Sequence, residues 1–118
     1  MHMLANAVIA LIALIHVYIL VLEMFLWDKP YGLKAFGQTQ QAASASKVLA
    51  ANQGLYNGFL AAGLFWALSL GPQGTGVKVF FLSCVLIAGL YGAATANRKI
   101  LFIQALPAAL GLALLWLS

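Results

Sequence analysis

Acidic side chains are almost missing from this chain: Glu23 and Asp28 are the only two in 118 residues. Charge of either sign is scarce, at 7% of residues, whereas a soluble domain uses charged residues at about a quarter of its positions. A water-covered globule of this size is therefore excluded. Cysteine is nearly absent too. Cys84 stands alone midway along an apolar run, which rules out an intramolecular disulfide or a thiolate metal cluster; it reads as a buried, inert thiol. Histidine is limited to His2, at the terminus, and His16. No pair for metal ligation is apparent, so no metal site is expected. No serine or cysteine has a base at hand, which removes nucleophilic catalysis.

What fills the chain is apolar. Hydrophobic residues make up 64% and the mean hydropathy is +1.00. Four stretches carry the excess: Met3 to Trp27, Val48 to Leu70, Val77 to Asn97 and Ile100 to Leu117. Each approaches the roughly 20 residues that an α-helix needs to cross about 30 Å of hydrocarbon. None alternates in period two, so a closed β-barrel is excluded. The first stretch has no basic leader and ends in Trp27-Asp28-Lys29-Pro30 rather than a small-residue cleavage site, so it reads as a retained helix. The expectation is an all-α, integral membrane four-helix bundle formed as one domain over residues 1–118. Its location would be multi-pass, in a bacterial inner or cell membrane.

The net charge of +4 does not imply nucleic acid, because the six basic residues are scattered over stretch ends and make no basic face. Lys29, Lys34 and Lys47 lie between the first and second stretches, Arg98 and Lys99 between the third and fourth, and Lys78 on the other side. By the positive-inside rule, both termini lie on the non-cytoplasmic side. The 28–46 connection is the one sizeable loop. "DKPYGLKAFG" has the apolar anchors to fold back on the interface; "QTQQAASAS" is either a linker or a lead-in to the second helix. Gly54, Gly58 and Ala62, and again Ala88, Gly92 and Ala96, recur at four-residue spacing. Small side chains at that period allow close helix contact, within the chain or with a second copy.

The polar residues inside this apolar frame are the candidate site. His16 and Glu23 are seven apart, on one helix face and about 10 Å apart along the axis. Glu23 is the one acidic group inside an apolar stretch, and an ionisable group there faces a bundle interior or water. It is the candidate acid/base or charge-pairing group; the alternative is a carboxylate reaching the interface to meet Lys29 or Lys34. On the second helix Asn52 and Tyr56 share one ridge and Gln53 and Asn57 the next, at i,i+4 spacing. Amides supply donor and acceptor together. With the assigned topology, Glu23, Asn52, Tyr91, Thr95 and Gln104 fall in one layer on the cytoplasmic side, and His16, Tyr56 and Asn57 in a second layer nearer the midplane. Pro107 should kink the fourth helix beside Gln104 and free the Ile103 carbonyl. Two readings stay open: a polar pocket for a small hydrophobic or amphipathic molecule, or interhelical hydrogen bonds that only hold the bundle.

The segments "EMFLWDKPYGLKAFG" (23–37), "LAANQGLYNGFLAAGL" (49–64) and "YGAATANRKILFIQALPA" (91–108), with the early His16, resemble a family of small bacterial and fungal membrane proteins known as the domain of unknown function 1304 family. The likeness covers nearly the whole chain and implies four helices, but no activity. A more distant likeness is to the membrane-associated eicosanoid and glutathione metabolism proteins, four-helix chains that form homotrimers. "KVLAANQGLYNGFLAA" is similar to the opening of their second helix through Lys47, Ala51 and Asn52. That likeness implies a trimeric homo-oligomer and glutathione as a cofactor, with Lys47, Arg98 or Tyr91 beside its thiolate. Lys47 replaces an arginine, and Tyr56 or Asn57 stands where an acidic residue belongs. Beside these two functions stands a third, a proton-coupled carrier that uses Glu23. Membrane lipid is the expected surrounding partner in every case.

Overall fold

The computed structural model describes residues 1–118. It is all-α, with five α-helices and no strand: α1 (His2–Met24), α2 (Pro30–Phe36), α3 (Gln40–Ser69), α4 (Thr75–Thr95) and α5 (Leu106–Trp116). A 3₁₀ turn, Gly71–Gly74, precedes α4, and a π-helical segment, Leu101–Ala105, leads into α5. Two helical segments are long and apolar enough to cross a membrane, His2–Met24 and Gly71–Thr95, and Leu101–Trp116 is a shorter apolar helix.

Each helix boundary has a local cause. α1 contains no glycine or proline between its ends, so nothing interrupts the hydrogen-bond ladder. α2 is a helix within the expected loop. Pro30 stands at its start, where a missing N–H costs nothing. Gly37 closes it at φ 62°, a left-handed conformation that glycine adopts freely. The Gln38 N–H then reaches back to the Leu33 carbonyl at 2.9 Å, which completes a Schellman cap. α3 begins at Gln40 rather than Val48, so the polar "QQAASAS" run is helix and not linker. Thr39 caps it, its Oγ1 accepting from the Ala42 N–H at 3.1 Å. At 30 residues, α3 is about 45 Å long.

The chain divides into two compact units, one of residues 1–14 and 60–118, the other of residues 15–59. Both α1 and α3 contribute to each. The core of the first unit joins Ile9, Ile12 and Ala13 with Leu64, Leu82, Val85 and Ala108. Close approach is sharpest at Gly89, where an added Cβ would lie 2.9 Å from the Ala105 Cα. Gly92 faces Ile100 at 3.2 Å in the same sense. The close contact of α4 therefore runs through Gly89 and Gly92, while Ala88 and Ala96 of the expected stripe are exposed. One residue of helical rotation, about 100°, separates the two rows.

In the second unit, α1 and α3 meet at Gly54 and Gly58. A Cβ on Gly54 would stand 2.6 Å from the Met24 Cγ and 3.1 Å from the Glu23 Cβ, and one on Gly58 would stand 2.7 Å from the Leu20 Cδ1. These are the small residues expected to permit such an approach. α2 is tied in by a hydrogen bond between the Tyr18 and Tyr31 hydroxyls and by Trp27 packed on Phe36, ring centroids 4.8 Å apart. Gly32 lies against the Leu26 carbonyl, where any side chain would collide.

Candidate functional site

The site is built where the second half of α1 meets the middle of α3, within residues 15–59. Glu23 is 5% exposed and Asn57 8%. The Asn57 Nδ2 donates to the Glu23 Oε1 at 2.6 Å. Gly54, one turn before Asn57, removes the side chain that would hold the two helices apart, as the 3.1 Å clearance to the Glu23 Cβ shows. The small residue and the polar pair thus act as one device. His16, two turns before Glu23 on α1, is wholly buried.

No cation of the chain answers the Glu23 carboxyl. The one ion pair runs between the Lys47 Nζ and the Asp28 Oδ2, at 3.1 Å. That pair holds the Asp28 carboxyl below its ordinary range, through the Lys47 hydrogen bond first and the nearby lysine charges after it. Beside it, the Trp27 Nε1 donates to the Ser46 Oγ at 3.1 Å, and the Ser46 hydroxyl donates to the Ala42 carbonyl. Lys47, which the glutathione likeness would place beside a ligand thiolate, is thus engaged with Asp28.

The other residues singled out from the sequence lie elsewhere. Asn52 is exposed and folds back on its own helix, donating to the Val48 carbonyl at 3.0 Å. Gln53 is exposed, Tyr56 is 64% exposed, and Tyr91, in the other unit, is 72% exposed. Thr95 is exposed and its hydroxyl donates to the Tyr91 carbonyl. Gln104 is half-buried inside the π-helical segment. The irregularity signalled by Pro107 is that segment: the Leu106 N–H bonds to the Leu101 carbonyl, five residues back. Burial thus sorts the polar residues into an inner group of Glu23, Asn57 and His16 and an outward-facing group of Asn52, Gln53, Tyr56 and Tyr91.

Next to the pair runs a shallow groove of about 340 Å³, lined by Met24, Lys47, Val48, Ala51, Asn52 and Leu55. Met24 follows Glu23 in the chain, so the apolar groove and the buried carboxyl share a wall. Such an arrangement can hold an apolar chain at the surface of α3 and offer a hydrogen-bond acceptor to its polar end. No cluster of three or more histidine, cysteine, aspartate or glutamate side chains stands ready for a metal ion.

One buried polar pair was missed in the sequence reading. The Lys78 Nζ donates to the Asn6 Oδ1 at 2.9 Å, with Lys78 4% exposed. The signal was present: Lys78 lies on the same helix row as Leu82, Val85 and Gly89, all buried.

Comparison with known proteins returns one family and one named relative. The family described as "Protein of unknown function (DUF1304)" matches residues 10–116. The "Uncharacterized protein YpaA" of Lactococcus lactis subsp. lactis (strain IL1403) is 31% identical over 96 residues, covering 80% of this chain and 81% of that protein. No solved structure matches. The chain belongs to the DUF1304 family.

Proposed function

We propose that this member of the DUF1304 family is a multi-pass membrane protein that binds a small amphipathic molecule, with Glu23 as the charge-pairing group. The observation that carries the reading is a carboxyl buried to 5% whose hydrogen-bond partner is the neutral Asn57 amide. A charge taken out of water is costly unless it is paired. Inside a membrane helix, such a group marks a functional site by default. A ligand bearing an ammonium or another strong donor supplies the missing complement, and the groove along Met24, Val48, Ala51 and Leu55 takes its apolar part.

The surroundings favour lipid as the solvent. Leu11, Phe25, Phe59, Ile87 and Phe102 are all more than half exposed, far more apolar surface than a water-soluble monomer leaves open. In this reading α1, the apolar part of α3, α4 and the Leu101–Trp116 helix cross the bilayer. Lys29, Lys34, Lys47, Arg98 and Lys99 then lie on the cytoplasmic side, and both termini on the other.

Matched amphiphiles test the proposal. Dodecylamine, dodecanol and dodecanoic acid share one chain length and differ in the head group. Binding is read by isothermal calorimetry on the full chain in nanodiscs. The amine is expected to bind tightest and to lose at least about tenfold in affinity in Glu23→Gln, about 1.4 kcal/mol. Equal binding of amine and acid, or an unchanged affinity in Glu23→Gln, would leave the pair with a purely structural role.

A further inference from the structure

Lys78 is a second buried charge, of opposite sign, in the unit formed by residues 1–14 and 60–118. Its ammonium carries three donors. The Asn6 Oδ1 takes one, at 2.9 Å. No carboxylate pairs with it, since the ion pair of the chain is Lys47–Asp28. Asp28 and Glu23 are the only acidic side chains there are, and both belong to residues 15–59.

The backbone makes the imbalance worse. Lys78 stands in the first turn of α4, which holds no acidic residue. The unpaired N–H groups at a helix start already carry positive partial charge, so a cation is disfavoured there. Asn6 lies in the second turn of α1, whose first turn has no acidic residue either. Two helix starts and one ammonium thus converge without a counter-charge. Asn6 is half-buried, which places the pair at a rim. Beside it there is room: a Cβ on Gly76 would meet no atom within 4 Å.

We propose that Lys78, positioned by Asn6, is a binding site for a phosphate group, carried either by an anionic lipid headgroup or by a soluble phosphate. The phosphate supplies acceptors for the two remaining ammonium donors. It also neutralises the positive end of α4, and a lysine acts in such a site as a point charge. Asn6 holds the ammonium at the rim without competing as an anion. The proposal does not depend on the reading of Glu23, which lies in the other unit.

The test uses the full chain, delipidated in a neutral detergent. Thermal unfolding and native mass spectrometry are followed with phosphatidylglycerol, with phosphatidylcholine and with inorganic phosphate. The variants are Lys78→Gln, which keeps a hydrogen bond to Asn6 but no charge, and Lys78→Arg. Wild type is expected to bind phosphatidylglycerol at least tenfold tighter than phosphatidylcholine and to unfold at a higher temperature with it. Lys78→Gln should abolish both effects and Lys78→Arg should keep them. Stabilisation by inorganic phosphate as well would assign the site to phosphate from either source; stabilisation by phosphatidylglycerol alone would assign it to lipid. The proposal fails if neither anion shifts the wild-type transition, or if the shift persists in Lys78→Gln. Should Lys78→Gln not fold, Lys78→Arg decides: a folded protein that has lost the anion effect overturns the proposal, and one that keeps it supports a site read by charge.

Discussion

Replacing Gly89 with alanine should destabilise this protein, although alanine is the better helix former. The new Cβ would stand 2.5 Å from the Ala105 N and 2.9 Å from the Ala105 Cα and Cβ. Carbon atoms rest about 3.5 to 4.0 Å apart, so the two segments must separate by roughly 1 Å. The atoms opposite belong mainly to backbone, which cannot rotate aside as a side chain would. Overpacking of this kind costs about 1 to 3 kcal/mol. Alanine returns at most about 1 kcal/mol of helix propensity, which leaves a net loss on the order of 1 to 2 kcal/mol. Gly76, on the same helix, is the internal control: a Cβ there meets nothing within 4 Å, and Gly76→Ala should gain about 0.5 to 1 kcal/mol. Unfolding by dodecyl sulfate in mixed micelles, followed by far-ultraviolet circular dichroism, orders the three proteins. A Gly89→Ala protein as stable as Gly76→Ala would refute the close approach at Ala105.

Asn57→Leu should cost about 1 to 3 kcal/mol, because the Glu23 carboxyl loses its donor. In a double-mutant cycle with Glu23→Leu, a coupling of roughly 0.6 to 1.7 kcal/mol is expected; strict additivity would show the bond to be incidental. Lys47→Gln should let the Asp28 carboxyl rise toward its ordinary value of 3.8, a change visible in its carbon-13 chemical shift on titration. Because Asp28 is held low in the folded chain, the stability it adds is present above its ordinary pKa and is lost as pH falls through the lowered one. The difference between wild type and Lys47→Gln should therefore vanish on acidification, and a difference that grows instead would reverse the assignment. Gly32→Ala would drive a methyl group into the Leu26 carbonyl and lift α2. Faster trypsin cleavage after Lys34 reports it, and an unchanged rate would mean that α2 is not held there.

The long apolar helices were legible because length and hydropathy alone mark them; α1 falls within a residue or three of the expected span. The start of α3 was not, because Gln40 to Lys47 is polar and helix formation needs no apolar residue where Thr39 supplies a cap. α2 was hidden by its length, although its Pro30 and Gly37 are ordinary start and stop signals. Around the candidate site, Glu23 and Asn57 could be picked out as polar groups in apolar helices. That they would touch depended on Gly54, whose role appears only once α1 and α3 are seen at contact distance. Tyr56 and Tyr91 carry the same sequence signal and are exposed; residue type does not tell which side of a helix a phenol occupies. Lys78 was read by its place in a loop charge count, which ignores the buried row it shares with Leu82 and Val85.

The π-helical segment before α5 has a consequence for how the chain tolerates change in length. Between Leu101 and Ala105 the helix carries one residue more per turn than an α-helix would, seen in the five-residue span of the Leu106 bond. Deleting a single residue there would restore an ordinary helix, and with it rotate everything downstream by about 100°. Ala108, Gly111 and Leu114, now buried, would turn away from Leu82, and the exposed Leu106 and Leu110 would turn inward. Substitutions in this segment act locally, whereas a gain or loss of one residue re-addresses the whole C-terminal helix. Relatives that differ in length should therefore place their insertions in the Asn97–Lys99 connection rather than between Leu101 and Ala105.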